Sequence, residues 1–492
     1  SQLRAIANSN AVNRDVLASL VRQQGGAGRL QDVAGQIIEA QEGGIEAVNR
    51  FSRKAAKSRL SDMFAEWFTA GRLWNPSTHI VNVVGNSLTL ATQPFEYGIA
   101  AAIGKVRGAA ARQAVERVTF NEVGHRVFAM AQGAKDGARA FVQGAKTGQS
   151  SDTYSKVQGN DIEAIPGIAG HAIRLPFRAL TASDEFFKAF SRRTALNGLA
   201  ARKAHAEGNR GDELASRTLD LLENPTSDMM ERAGEYARDL TFQTPLKGAS
   251  SHIQRLVAEQ PLLRPVITFV RTPVNLLRYA VQRSPAAPLV KEWRRDFAAG
   301  GVRRDLAIGK ALFGTGVMLA AYEAAERGIL TGAPPDDQKQ NRLLRADGWQ
   351  PYSVRIGGKY YSYSRLDPFS TTVSVATDIA TKGKGMTERQ LDNYAMLSVA
   401  SVLNNLADKT WLSGITDLTQ AISDPERYGP SYLRRLAVSI VVPNIANTPA
   451  RMMDPTVRRR ETMADEFQHN VPGMTDELLP RRDVWGKPIV RE

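Results

Sequence analysis

The chain has 492 residues, 42% of them apolar, so wholesale disorder is excluded and roughly two to four subdomains are expected. Its 64 Lys and Arg against 50 Asp and Glu leave a net charge of +14, which favours nucleic acid, anionic lipid or an acidic protein as partner without choosing among them. There is no cysteine, which removes disulfide frameworks, thiolate metal sites and thiol nucleophiles together.

The start, Ser1 to Arg4, has neither an initiator methionine nor a signal-peptide core, the expectation for a processed product or a segment of a longer chain. Four regions are expected: helical stretches over 1–148, 149–260 and 261–453, then an extended tail over 454–492. Up to about Thr69 the pattern is helical, broken by glycines, with a basic turn (Arg53, Lys54, Lys57, Arg59) leading into Met63, Phe64, Trp67 and Phe68. Asn75 and Pro76 read as a cap and first helical residue, after which Ile80, Val81, Val84, Leu88 and Ala91 share a face. No charge falls between Arg72 and Glu96, which raises a membrane span. Asn82, Asn86, Gln93, Gly85 and Pro94 weigh against it, so a buried or intersubunit helix is expected, with Ile80, Val84 and Leu88 as its contact residues.

From Gly98 to Gly148 the chain is rich in Ala and Gly, which lets helices approach closely; Ser150 to Gly167 reads as a linker. Ser183 is placed as the cap of a long helix with Asp184 and Glu185 in its first turn, Phe186, Phe187 and Phe190 on its apolar side, and Gly208 as its stop. Helices over 211–222 and 226–240 follow, parted by Asn224 and Pro225.

The stretch from Gln260 to Phe297 brings positive charge and apolar periodicity together. Thr272 and Pro273 predict a helix start at Pro273, with Val274, Leu277 and Val281 on one face and Asn275, Arg278 and Gln282 on another. Arg264, Arg271, Arg278, Arg283, Lys291, Arg294 and Arg295 are the candidates for meeting a polyanion or lipid headgroups, because guanidinium is seldom buried unpaired. Arg303 to Arg327 is a further helix. Its charge-free part, Ala311 to Tyr322, is too short for a bilayer and offers Leu312, Phe313 and Val317 as apolar contacts to a subunit or membrane.

Tyr352 to Tyr363 carries the only convincing strand signal, a hairpin turning at Gly357 and Gly358, with Tyr352, Val354, Ile356, Lys359, Tyr361 and Tyr363 on the face expected to pack on helices. A capping box at Thr387 and Gln390, an apolar face at Leu433, Leu436, Ile440 and Val441, and a charged, proline-bearing tail complete the chain. The fold class expected is therefore mainly α, elongated or bundled, with one small β-hairpin at 352–363 and an extended C-terminal tail.

Chemistry is sparse. Gly309 and Lys310 lack the rest of a phosphate loop, the six histidines have no ligand spacing, no serine sits in a nucleophile elbow, and acidic pairs such as Asp184 with Glu185 are explained by helix ends and loops. The expectation is no enzyme, no metal and no cofactor.

Several blocks, in order along the chain, resemble the ejection (internal virion) proteins of tailed phages and their large polyvalent relatives: Asn75-Pro76-Ser77-Thr78-His79-Ile80-Val81-Asn82; Ser183-Asp184-Glu185-Phe186-Phe187-Lys188; Phe269-Val270-Arg271-Thr272-Pro273-Val274-Asn275 with Arg283-Ser284-Pro285; Gly348-Trp349-Gln350-Pro351-Tyr352-Ser353; and Leu479-Pro480-Arg481-Arg482-Asp483-Val484-Trp485-Gly486. The resemblance implies a homo-oligomer packaged in the virion beside other ejection, portal or tail proteins. It would leave ahead of the genome and help build a conduit across the host envelope, touching DNA and membrane. It implies no transferable site residues. A DNA-binding or scaffolding protein of the capsid interior, suited by the charge, and a membrane-remodelling effector, suited by the uncharged interval, remain the alternatives.

Overall fold

A computed structural model describes residues 271–335 and 337–382, most of 63–148, Ser150, 165–246 and most of 454–488. Arg264, the helices expected before residue 63, the capping box at Thr387 and the face at Leu433 to Val441 lie outside the described residues. Among the described residues the protein is mainly helical with one two-stranded antiparallel hairpin.

Two long helices follow the partly described helical residues 63–73: α1, Pro76–Ala110, and α2, Phe120–Thr147. Thr119 caps α2 by accepting from the Glu122 amide, and Gly148 closes it at a positive φ. Then come α3, Gly167–Ile173; α4, Leu175–Ala206; α5, Gly211–Glu223; and α6, Ser227–Leu240. Ser183 is not a cap. α4 starts at Leu175 with Pro176 in its first turn, so Ser183, Asp184 and Glu185 sit inside the helix and are buried. The stronger signal is proline in the first helical turn, where its missing amide costs no intrahelical bond.

α4 and α2 run antiparallel in close contact. Gly133 faces the Phe190 backbone, Gly137 faces Phe186 and Gly144 faces Ala182, so the small residues set the approach. α7, Arg271–Gln282, begins two residues before the expected start. Its buried side is Pro273, Asn275, Leu276, Tyr279 and Ala280, while Val274, Leu277 and Val281 are only half-buried. The inward face is thus rotated from the expected one, because Asn275 donates to the Phe242 and Thr244 carbonyls at 3.0 and 2.8 Å and draws its side of the helix in.

Next are α8, Lys291–Ala299; α9, Gly301–Glu326; and α10, Gln338–Ala346. α9 lies antiparallel on α1: Asp305 meets Arg107, Gly309 abuts the backbone of Glu96 and Ala100, and Phe313 stacks on Phe95. Strands β1, Ser353–Ile356, and β2, Lys359–Ser362, pair Val354 with Tyr361 around Gly357 and Gly358, both at positive φ, the turn that the double glycine predicts.

The expected face docks only in part, however. Ile356, Lys359 and Tyr361 are exposed, Tyr352 and Val354 are half-buried, and Tyr363 is buried together with Ser353 of the opposite side. Ser353 exchanges hydrogen bonds with Thr331, and the Tyr363 hydroxyl donates to the Thr331 carbonyl at 2.8 Å beside Thr377 of α11, Phe369–Lys382. Polar bonds rather than apolar area fix it. In the tail, α12, Met463–Asn470, is helical, and the chain returns on itself through Arg459 N–H to the Leu479 carbonyl and Arg481 N–H to the Val457 carbonyl.

Candidate functional site

α1 carries two stripes. Asn82, Asn86, Thr89, Gln93 and Glu96 follow one another at spacings of four, three, four and three, which puts them on one side of a helix. That polar side points inward: Asn86, Thr89, Gln93 and Glu96 are buried. The apolar side points out, with Ile80 at 62% and Phe95 at 63% exposure and Val83 and Leu88 also exposed. α9 also turns apolar residues outward, but its inner side is lined by small residues and not by a polar stripe. Asp305, Gly309, Gly314 and Ala321 are inside, and Leu312 and Leu319 are outside. The Phe95–Phe313 stack, with centroids 6.1 Å apart, joins the two outer faces.

The interior holds the charges. Glu96 accepts two parallel bonds from Arg283, at 2.6 and 2.8 Å, and the guanidinium lies 3.3 Å over the Tyr279 ring. Burial pushes the Tyr279 hydroxyl well above its usual range. Burial alone would lower the Arg283 ionisation, but Glu96 and Tyr279 outweigh it and push it up. One residue on, Tyr97 lies 3.8 Å beneath Arg126, which shares the Glu122 carboxylate with Arg202. Tyr236 of α6 donates to Gln93 at 3.1 Å and flanks Arg126 from above. Arg107 grips Asp305 at 3.0 and 2.8 Å, and Arg174 holds Glu66 at 2.9 Å. These four carboxylates tie separate segments of the chain together, Glu96, Glu122 and Asp305 through paired bonds to one guanidinium.

Each of the four accepts at least two hydrogen bonds from the chain itself. The nearest approach to a nucleophile and its base is Ser150 with Lys188, 2.8 Å apart. Glu185 accepts from both, at 2.6 and 3.2 Å, so serine, lysine and carboxylate form one buried ion-pair cluster between Ser150 and α4.

The basic residues separate into three groups. Arg283 is 3% exposed and belongs to the interior, which corrects its assignment to a polyanion surface: Glu96 supplies the counter-charge that makes burial possible. Arg271 is likewise buried, and Arg278 is half-buried on α7. Lys291, Arg294 and Arg295 are exposed together on α8, which Trp293 fastens to α9 by donating to the Ala307 carbonyl at 3.0 Å. Among the apolar candidates, Ile80, Leu88 and Leu312 face outward, while Val84, Phe313 and Val317 are half-buried.

The sequence reading missed Phe95, Val83 and Leu319 as parts of the outer surface and Glu96 as the partner of Arg283. The alternating polar spacing from Asn82 to Glu96 was the available signal. Among the described residues no helix is long and apolar enough to cross a membrane. Compared with models of known protein families, with curated proteins and with solved structures, the chain matches none.

Proposed function

We propose that this chain is a structural ejection protein of a tailed phage, packaged in the virion as a homo-oligomer beside other ejection, portal or tail proteins, and delivered to the host envelope to help form a conduit for the genome. The observation that carries the reading is the outward apolar face of α1, joined to that of α9 by the Phe95–Phe313 stack. Apolar residues exposed singly are ordinary, whereas a patch of them running along adjoining helices marks a contact surface. Ile80, Leu88, Phe95, Leu312 and Leu319 face outward, and in α1 the polar side is spent inside, which suits a component whose apolar surface is covered by neighbouring subunits or lipid. The family-like blocks give that surface a context, and the role requires no catalytic group.

Two alternatives rest on parts of the same surface. The exposed cations of α8, Lys291, Arg294 and Arg295, favour a DNA-binding or scaffolding protein of the capsid interior, whereas the apolar faces of α1 and α9 favour a membrane-remodelling effector. Salt-sensitive DNA binding without liposome binding selects the first, and the reverse selects the second. The proposal itself is tested by mass spectrometry of purified virions before and after genome release. The chain is expected in filled particles and depleted from emptied ones; its absence from virions, or full retention after release, overturns it.

A further inference from the structure

α2 presents a second unpartnered face, on the side away from α4. Phe120, Val127, Phe128, Phe141 and Val142 are all exposed there, Phe128 at 74%. Phe120, Val127 and Phe141 lie in one line with Gly124, Ala131, Ala134 and Ala138, at successive spacings of four, three, four, three, four and three, and every member is exposed. That is the seam of a coiled coil, kept over a helix stretch about 32 Å long. It carries no charge. Gly124 has nothing within 4 Å of where a side chain would stand, unlike Gly133 and Gly137 on the inner side, so nothing within the chain accounts for a glycine there.

From this we infer that α2 pairs antiparallel with α2 of a second copy of the chain about a two-fold axis at Ala131. The seam is size-symmetric about that residue. Antiparallel pairing sets Phe120 against the other copy's Phe141, Gly124 against Ala138, Val127 against Ala134, and Ala131 against itself, so small residues meet at the centre and aromatics close both ends. The flanking positions agree. Antiparallel neighbours beside the seam are Asn121 with Val142 and Phe128 with Lys135, which covers the most exposed phenylalanine with a lysine stem and cation. The self-complementarity of shape selects a second copy over lipid, which needs neither glycine nor symmetry. One helix pair buries less than the ~1,200–2,000 Å² of a standard interface, so the association is a concentration-dependent equilibrium.

The cysteine-free chain makes the test direct. Sedimentation velocity of the full chain up to about 100 µM reads the equilibrium, and Ala131→Cys under mild oxidation reads the axis, since only facing residues come within the ~7 Å between Cα atoms that a disulfide spans. Ala131→Cys is expected to give a covalent dimer at concentrations where Leu219→Cys, exposed on α5, stays monomeric. Val127→Glu should weaken the dimer at least ~10-fold while leaving the helical circular dichroism unchanged. A chain monomeric throughout the range overturns the inference. So does an assembly in which Ala131→Cys crosslinks no better than Leu219→Cys, or one that Val127→Glu leaves intact. Each result stands whether or not the chain proves to be ejected from virions.

Discussion

Arg283 keeps its charge in the interior because both oxygens of Glu96 accept from it and the Tyr279 face lies against it. Removing one partner leaves the other charge buried alone, which costs about 3–5 kcal/mol, whereas replacing both with apolar side chains of similar volume is close to neutral. Glu96→Gln is therefore expected to lower the urea midpoint sharply, and Glu96→Met with Arg283→Met to recover most of the loss. A Glu96→Gln cost no larger than that of Glu323→Gln, in the exposed pair with Arg327, would contradict this. At Asp454, burial alone would raise the carboxyl, but bonds from Arg458 and Thr456 outweigh it and hold it at about 2. A depressed folded value means a contribution that is fully present above the unfolded value of about 4 and lost as pH falls from there toward 2. Amide exchange at Arg459 and Arg481 should accelerate across that window and not above it. The sequence marked Arg283 as charged but not as buried, since a counter-ion 187 positions away at Glu96 leaves no local trace.

Helix packing turns on where glycine and alanine lie. A methyl group at Gly137 would come within 2.9 Å of the Phe186 carbonyl oxygen, which is backbone and has little room to yield. Gly137→Ala should cost about 1–3 kcal/mol as overpacking. Gly316, on the outer side of α9 with nothing within 4 Å, should accept alanine with a gain of up to about 1 kcal/mol from helix propensity. Thermal melts followed at 222 nm compare the two, and equal shifts would mean that the α2–α4 contact is looser than described. Most elements were legible from such local signals: Pro76 opening α1, Asn224 and Pro225 parting α5 from α6, the double glycine turning the hairpin. Which face turned inward was less legible. Periodicity assigns the apolar stripe of a helix to the core, and in α1 the buried stripe is the polar one, held by Arg283, Tyr236 and the Asn82–Asp184 contact at 3.5 Å.

Along α1 and its contacts with α6, α7 and α9, charged and polar groups bind the inside while apolar side chains remain on the outside, and of the candidate cations those exposed together are on α8. Neutralising Arg294 and Arg295 together should weaken binding to DNA or anionic vesicles and flatten its salt dependence, because released counterions set that slope. Neutralising Arg283 in their place should unfold rather than weaken, a contrast that separates surface charge from structural charge. The central claim is that the outward apolar faces of α1 and α9 are covered by neighbouring chains along the path of the genome. Low-resolution imaging of the protein within its particle tests this most directly. The account predicts several copies packed side by side around the DNA path at the portal or tail, with α1 and α9 at the contacts between copies. Isolated copies dispersed through the packaged DNA, with those helices facing solvent, would contradict it.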